Sequence, residues 1–532
     1  MRHAGTVVFL VGLLCSAATA MGAPSLVAVT GHEPESLVML SAADVMVVRE
    51  MEGYLLAVVE PDQIDLMGEL GLQVEILDGA VAGKTYYTVQ YRHEAQRRQL
   101  ESLVRVLYSD RNSAVFEALP AAAEMVSATG LEIARVFIRP VRPAPIFQPD
   151  VTALTRGSDP VIDAIVGAIS SSSIDGIVYR LQNFETRYST HDSCLAAGEY
   201  LKAHFESSGI DSVYFHNWSG TYHDNVVAVI PGASQPEKVV VVGGHYDSTT
   251  GDPDVAPGAD DNASGTACVL ECARVLSPYQ FDYTLKFVAF CGEEQGLLGS
   301  EAFASAAAAA GEDIVAAVAV DMIGYLAGGD VMDLDIIDNT SSVWLRDLAF
   351  ATASEYVPEL PLVDGSLPFG ASSDHASFWA NGYHAILLFE DTGDYSPYIH
   401  SASDVIGTSY NSSTLALGSV KVAASLLATL ARPFTVSISH QPLGDTEDSV
   451  NPYRVEAEIV AAAALDPSSL YLYYSTGGPL NSVPPDRHRH SGCVRSVHPR
   501  PARRQFRVVL SHGGGYEWQY SRSSRNRARH RS

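Results

Sequence analysis

The stretch Lys238-Val239-Val240-Val241-Val242-Gly243-Gly244-His245-Tyr246-Asp247 decides the fold. Four consecutive valines with no polar alternation predict a strand buried on both faces, the signature of a covered, largely parallel sheet. Working outward, residues 225–230, 284–290, 314–320 and 385–389 are further short β-branched or aliphatic runs. Residues 174–182, 195–207, 262–276 and 414–431 instead have helical spacing, the second ending at Gly209. Strands alternating with helices predict an α/β domain, and in such sheets sites form at the carboxyl ends of the strands.

Those strand ends are where imidazoles and carboxylates collect. Gly244-His245-Tyr246-Asp247, Gly258-Ala259-Asp260-Asp261-Asn262, Gly292-Glu293-Glu294-Gln295, Val320-Asp321-Met322 and Tyr398-Ile399-His400 each offer one or more metal-binding groups, and none offers a cysteine. Oxygen and nitrogen ligands without thiolate suit a hydrolytic zinc pair. Each segment also has a bland reading. His245-x-Asp247 can be merely structural, although Asp247 can also accept the other N–H of the His245 ring and fix its tautomer as a metal histidine needs. Asp261 or Asn262 can cap a helix beginning at Ala263, and Glu293-Glu294 can sit at a favourable helix N-terminus. A lone Asp321 is as often a turn, and His400 alone is uninformative. Their conjunction points elsewhere, because acids that repel one another gain nothing structurally by ending several apolar runs, whereas divalent cations reconcile them and activate water.

These segments resemble the M28 family of zinc aminopeptidases, of the bacterial leucyl aminopeptidase type, over roughly residues 160–432. The specific motifs are Gly258-Ala259-Asp260-Asp261-Asn262-Ala263-Ser264-Gly265 and Gly292-Glu293-Glu294-Gln295-Gly296-Leu297-Leu298-Gly299-Ser300. The resemblance implies a three-layer α/β/α sandwich on a mixed, largely parallel sheet. It implies two zinc ions bridged by Asp260, with Glu294 and His400 completing one and His245 and Asp321 the other. Glu293 would be the general acid/base beside a metal-activated water, Asp247 would assist catalysis, and the Asp260–Asp261 peptide would be cis. Ser373-Asp374-His375 matches a family motif without an assigned ligand role. Met322, Phe389, Tyr395 and Ile399 adjoin the ligands and are candidates for an apolar pocket. The implied substrate is a peptide with a free N-terminus. A carboxypeptidase or dipeptidase is the alternative within the family, and the scarcity of cations near the motifs to meet a substrate carboxylate, Lys286 and Arg346 being the few, favours the aminopeptidase. A one-zinc glutaminyl cyclase is disfavoured by the full ligand set, and an inactive metal-stabilised binding protein by the retention of Glu293.

A chain of 532 residues requires more than one core. Residues 1–20 have the charged start, apolar run and Ala18-Thr19-Ala20 ending of a signal peptide, predicting a secreted or periplasmic protein with no integral membrane segment after cleavage. Residues 24–137 repeat at an offset of 59, Tyr54-Leu55-Leu56-Ala57-Val58 aligning with Ser113-Ala114-Val115-Phe116-Glu117 and Pro61 with Pro120. They predict a small module of two ββαβ units, a pro-region or accessory domain. Residues 138–158 read as a Pro-rich linker, 159–432 as the peptidase domain and 433–478 as a partial β-sandwich-like module. Residues 481–532 hold twelve Arg and two acids, so the first 480 residues carry 22 of the 34 basic and 60 of the 62 acidic groups. Such an acidic body excludes charge-driven nucleic-acid binding. The tail 479–532 is expected to be disordered, a frame shift within the gene being one reading of its abrupt change in composition. The cysteines do not form a stapled scaffold. Cys268 and Cys272 are expected to pack as apolar residues, and Cys194 is a candidate for one disulfide.

Overall fold

The structure is a computed structural model describing residues 23–433 apart from breaks at 32–38, 41–42, 52, 92, 143, 145–146, 148, 152–156 and 366–371, with the backbone of six strands between Val436 and Arg522. The expected signal peptide lies outside the described residues, and the linker falls partly outside them. The repeat is larger than its sequence match. β1 (Ser25–Thr30), β2 (Met46–Met51), β3 (Tyr54–Val59), α1 (Pro61–Glu69) and β4 (Gln73–Asp78) form a sheet in the order β2-β3-β1-β4. The second half adds β5 (Tyr86–Gln90), α2 (Glu94–Leu103), β6 (Arg105–Ser109), β7 (Ser113–Glu117), α3 (Pro120–Ser127) and β8 (Ile133–Val136), in the equivalent order β6-β7-β5-β8. Each half therefore has a leading strand that the ββαβ reading lacks, inserted centrally, and each has its own core: Val27, Leu55 and Met67 in the first, Tyr87, Leu100 and Phe116 in the second. Residues 85–137 belong to the same compact unit as the large sheet that follows, whereas residues up to Lys84 belong to another.

The large domain begins with α4 (Pro160–Gly167), α5 (Ser171–Gln182) and α6 (Asp192–Ser207), then β9 (Ser212–His216), β10 (Asn225–Ile230) and β11 (Gln235–His245). It continues with α7 (Ala263–Leu276), β12 (Tyr283–Phe290), α8 (Leu298–Ala310), β13 (Asp313–Val320), β14 (Leu334–Ile337), α9 (Val343–Tyr356), β15 (Leu362–Asp364), α10 (His375–Ala380), β16 (Ala385–Phe389) and α11 (Ser413–Ala431). The eight strands run β15-β14-β16-β13-β11-β12-β10-β9. The central strands β16, β13, β11 and β12 are mutually parallel, while β10, β9 and the β14–β16 pairing are antiparallel.

The valine run explains the layering. Val240 and Val242 pack with Leu181, Phe205, Leu270 and Leu427 on the face covered by α5, α6, α7 and α11. Val239 and Val241, alternating to the other face, pack with Phe303 of α8 and Phe378 of α10. Both faces are dry, as a three-layer sandwich requires. Helix α11 is long and apolar enough to cross a membrane, but most of it is buried in this core.

The C-terminal region continues in strands. β17 (Val436–His440), β18 (Arg454–Ala461), β19 (Leu472–Tyr474) and β20 (Asn481–Val483) are followed by β21 (Arg504–Leu510) and β22 (Tyr516–Arg522) inside the Arg-rich segment. β21 pairs with β18 and β22 with β21, giving a sheet in the order β17-β18-β21-β22. Counting arginines obscured the strand formers Phe506, Val508, Val509 and Leu510, and Tyr516, Trp518 and Tyr520, on either side of Gly513-Gly514-Gly515.

Candidate metal centre

Parallel register aligns the functional ends. His245 is the last residue of β11 and pairs with Phe290 at the end of β12, so Glu293 and Glu294 emerge beside it. Asp321 follows β13 directly, and His400 lies in the loop after β16. Gly244 keeps this floor tight, because a Cβ there would sit 2.8 Å from the Val320 carbonyl oxygen. His400 and Met322 both adopt left-handed backbone, φ +53° and +50°, which is costly for non-glycine residues and recurs at functional sites.

The two imidazoles converge on one carboxylate, and it is Asp261, not Asp260. Asp261 Oδ1 lies 3.4 Å from His245 Nε2 and Oδ2 lies 3.1 Å from His400 Nε2. Asp321 Oδ1 is 3.3 Å from His245 Nε2, and Glu294 Oε2 is 3.1 Å from His400 Nε2. Asp260 turns away. Its Oδ1 accepts the Gly324 amide at 2.9 Å, and burial together with the neighbouring Glu390 pushes its carboxyl well above its usual range. The helix-cap reading belongs to Asn262, whose side chain accepts the Gly265 amide at 2.7 Å and donates to the Val320 carbonyl at 2.9 Å. With Asn262 as cap, its predecessor faces the site and the one before faces the opposite wall. The cis peptide likewise lies one residue later than the resemblance implies, between Asp261 and Asn262.

Asp247 also acts differently from expectation. His245 Nδ1 is 3.2 Å from the Asp247 carbonyl oxygen and 3.7 Å from its carboxylate. That carboxylate instead accepts the amides of Glu293 at 3.3 Å and Glu294 at 3.4 Å, and so sets the backbone carrying both acids. Glu293 Oε2 stands 3.9 Å from His245 Nε2.

Further residues support the site, and of these only Ser373 lay in a motif that the sequence singled out. Asp404 accepts the amides of Asp260 at 2.9 Å and Asp261 at 3.0 Å. Ser373 donates to Asp321 Oδ2 at 2.7 Å, giving Ser373-Asp374-His375 a tangible role. Arg187 is wholly buried and donates to the carbonyls of Leu181, Tyr246, Pro257 and Gly258, tying the loop after β11 to the turn before Asp260. Glu132, from the unit containing β8, lies 3.1 Å from His400 Nε2. The apolar candidates Met322, Phe389 and Ile399 fall in one cluster with Tyr395 packed against it. The four described cysteines are free and buried, Cys194 Sγ standing 3.7 Å from Cys291 Sγ.

The site's electrostatics call for cations. Burial pushes the Glu293 carboxyl well above its usual range, with Glu132, Asp374 and Glu294 adding to the effect and His245 opposing it. Burial likewise raises Glu294 to about 8 and Asp374 to about 7. Burial alone would lower both histidines, yet the surrounding carboxylates outweigh it and raise them well above normal. Burial also raises Asp261, but the flanking imidazoles and Arg187 prevail and hold it low. Asp261 Oδ2, Glu293 Oε1, both Glu294 oxygens and His400 Nε2 are buried without hydrogen-bond partners. Ligand atoms of His245, Asp261 and Asp321 lie within 4.8 Å of one another, as do those of Glu132, Asp261 and His400. Orphaned donors of this type in two groups sharing one carboxylate fit a pair of divalent ions.

The family model for peptidase family M28 matches residues 225–424. "Probable leucine aminopeptidase 1" of Trichophyton verrucosum is 31% identical over 289 residues, 49% of this chain and 75% of that protein. A "Probable leucine aminopeptidase" of Arthroderma otae is 32% identical over 260 residues, 46% of this chain and 70% of that one. Among solved structures, Legionella pneumophila LapA aminopeptidase matches with a TM-score of 0.53 and 20% identity, covering 65% of this chain and 98% of that one. LapB from the same organism matches with 0.52 and 17%, covering 66% and 100%. At these identities the structures establish the shared fold.

Proposed function

The chain belongs to peptidase family M28, and we propose that it is a secreted aminopeptidase that removes N-terminal residues from peptides with two zinc ions. The observation that carries the reading is the single carboxylate of Asp261 between two imidazoles, 3.4 and 3.1 Å away. His245 and Asp321 would hold one ion, Glu294 and His400 the other, and Asp261 both. Zinc bound there supplies polarisation of the scissile carbonyl and a water acidic enough to ionise at neutral pH.

The chain's own groups do the rest. Glu293, with its Oε1 buried and unpartnered, accepts a proton from the attacking water and returns it to the leaving amine. Asp247 holds the Glu293 and Glu294 amides and thereby aims both carboxylates. Asp404 fixes Asp261 through its amide, and Ser373 fixes Asp321 through its side chain. A floor dominated by carboxylates suits a substrate ammonium. Met322, Phe389, Tyr395 and Ile399 would receive the first side chain of the peptide. The carboxypeptidase alternative needs a cation for the substrate carboxylate. Lys286 is engaged with Glu312, and Arg346 with Asp338, Asp347 and Asp364.

The test uses leucyl chromogenic substrate with and without an N-acetyl group. The unblocked substrate should turn over and the blocked one should be inert. Comparable rates would replace this reading with an endopeptidase or carboxypeptidase.

A further inference from the structure

We propose that Glu132 is an internal ligand of the His400 side of the metal centre, and that residues 85–137 carrying it form an intramolecular plug in the substrate's place. The inference rests on the metallopeptidase reading above and goes beyond it, because that reading places no residue of the N-terminal repeat in the metal centre. Glu132 Oε1 is as close to His400 Nε2, 3.1 Å, as are Asp261 Oδ2 and Glu294 Oε2. Its oxygen also falls within 4.8 Å of the Asp261 ligand atom, so the three groups surround one point.

The same unit grips both loops that carry the His400-side ligands. The Ser127 carbonyl, at the end of α3, lies 2.6 Å from His400 Nδ1 and accepts its N–H, which leaves Nε2 free for a metal. Gly130, with φ +82°, brings its backbone to the Ile399 carbonyl, where a Cβ would lie 3.8 Å away. Arg135 donates its amide to the Gly296 carbonyl at 3.2 Å, beside Glu293 and Glu294. Gly296 is needed for that approach, since a Cβ there would lie 2.8 Å from the Arg135 nitrogen. Glu124 accepts the hydroxyls of Tyr188 at 2.9 Å and Tyr222 at 3.3 Å, anchoring α3 to the domain's loops.

A structural role alone does not account for Glu132. Its carboxylate is buried and repelled by Asp261 and Glu293, with only the His400 ring to offset them, and a metal ion at Nε2 would relieve that repulsion. A free substrate needs that same space, because the point facing His400, Glu294 and Asp261 is where a peptide's polar end would meet the metal. The unit therefore inhibits until it is displaced or cut away, and the chain around residues 138–158 is where such a cut would separate it.

The experiment uses the full-length chain and two variants, Glu132→Gln and Glu132→Asp, each loaded with cobalt(II) in place of zinc. The visible spectrum reports the ligands directly and needs no turnover. L-leucine hydroxamate binding by calorimetry reports access to the site. If the plug occupies the site in nine molecules of ten, its removal tightens the apparent affinity about tenfold. Glu132→Gln should change the cobalt spectrum, bind the hydroxamate about tenfold more tightly and raise leucyl hydrolysis. Glu132→Asp, which keeps the charge on a shorter arm, should give a smaller shift in each. Identical spectra and hydroxamate affinities in all three proteins would overturn the proposal while leaving the aminopeptidase reading intact. A changed spectrum and tighter hydroxamate binding in Glu132→Gln, with no hydrolysis of leucyl substrate by any form, would support the plug and defeat the aminopeptidase reading instead.

Discussion

At the scale of single residues, adjacent carboxylates take separate work because the backbone turns them to separate partners. Glu294 faces His400 at 3.1 Å, whereas Glu293 stands 3.9 Å from His245 with one oxygen unpartnered. Glu293→Gln should therefore keep its metal and lose turnover by about 10²–10⁴-fold, while Glu294→Gln should weaken metal binding. Equal metal loss in both variants would mean the two roles are misassigned. The neighbouring acids Asp260 and Asp261 make a second pair. Asp261→Asn should weaken zinc binding by more than about 100-fold, and Asp260→Asn, which can still accept the Gly324 amide, by about tenfold or less, both read by competition with a chelating dye. The reverse order would restore Asp260 as the bridge. Sequence spacing identified the motif that meets both histidines but not which of its two carboxylates lies between them. Which of two adjacent acids faces the histidines depends on which residue caps α7, and Asn262 takes that position through its contacts with Gly265 and Val320.

At the scale of elements, the strands were legible wherever burial on both faces left an unbroken apolar run, as in β11, β12, β13 and β16. The short strands β14 and β15 were not, because four and three residues carry no periodicity. Nor did any local pattern reveal Arg187, whose four partner carbonyls come from three separate stretches of chain. Arg187→Met should leave those buried acceptors unmet and lower stability by about 3 kcal/mol in chemical denaturation, with metal affinity falling alongside. A loss below about 0.5 kcal/mol would show that the guanidinium does not hold these loops. In the C-terminal sheet, truncation after Gly478 removes β21 and exposes the edge of β18. The truncated chain should retain its rate on a small leucyl substrate but associate at concentrations where the full chain does not, by light scattering. Identical scattering would mean that β21 does not protect that edge.

At the scale of the whole molecule, a strongly acidic chain of net charge −28 concentrates carboxylates where they are least solvated. The raised carboxyls of Glu293 and Glu294, the latter at about 8, mean that the metal-free fold retains protons which the unfolded chain releases near pH 4.5. Their contribution to metal-free stability is thus full below that pH and lost as pH rises through about 8. Zinc takes the place of those protons, so the rise in Tm on adding zinc should grow between about pH 5 and pH 8, and zinc uptake should release protons. A zinc-induced shift independent of pH would contradict this linkage. The sequence disclosed the domain that carries the chemistry, but not that half of the N-terminal repeat packs into the same unit, since that contact joins residues far apart in the chain. The central claim is a pair of ions sharing Asp261, and zinc content after chelator stripping and reconstitution tests it most directly. The account predicts two zinc per chain, falling below one in Asp261→Asn; saturation of the wild-type protein at one zinc would contradict it.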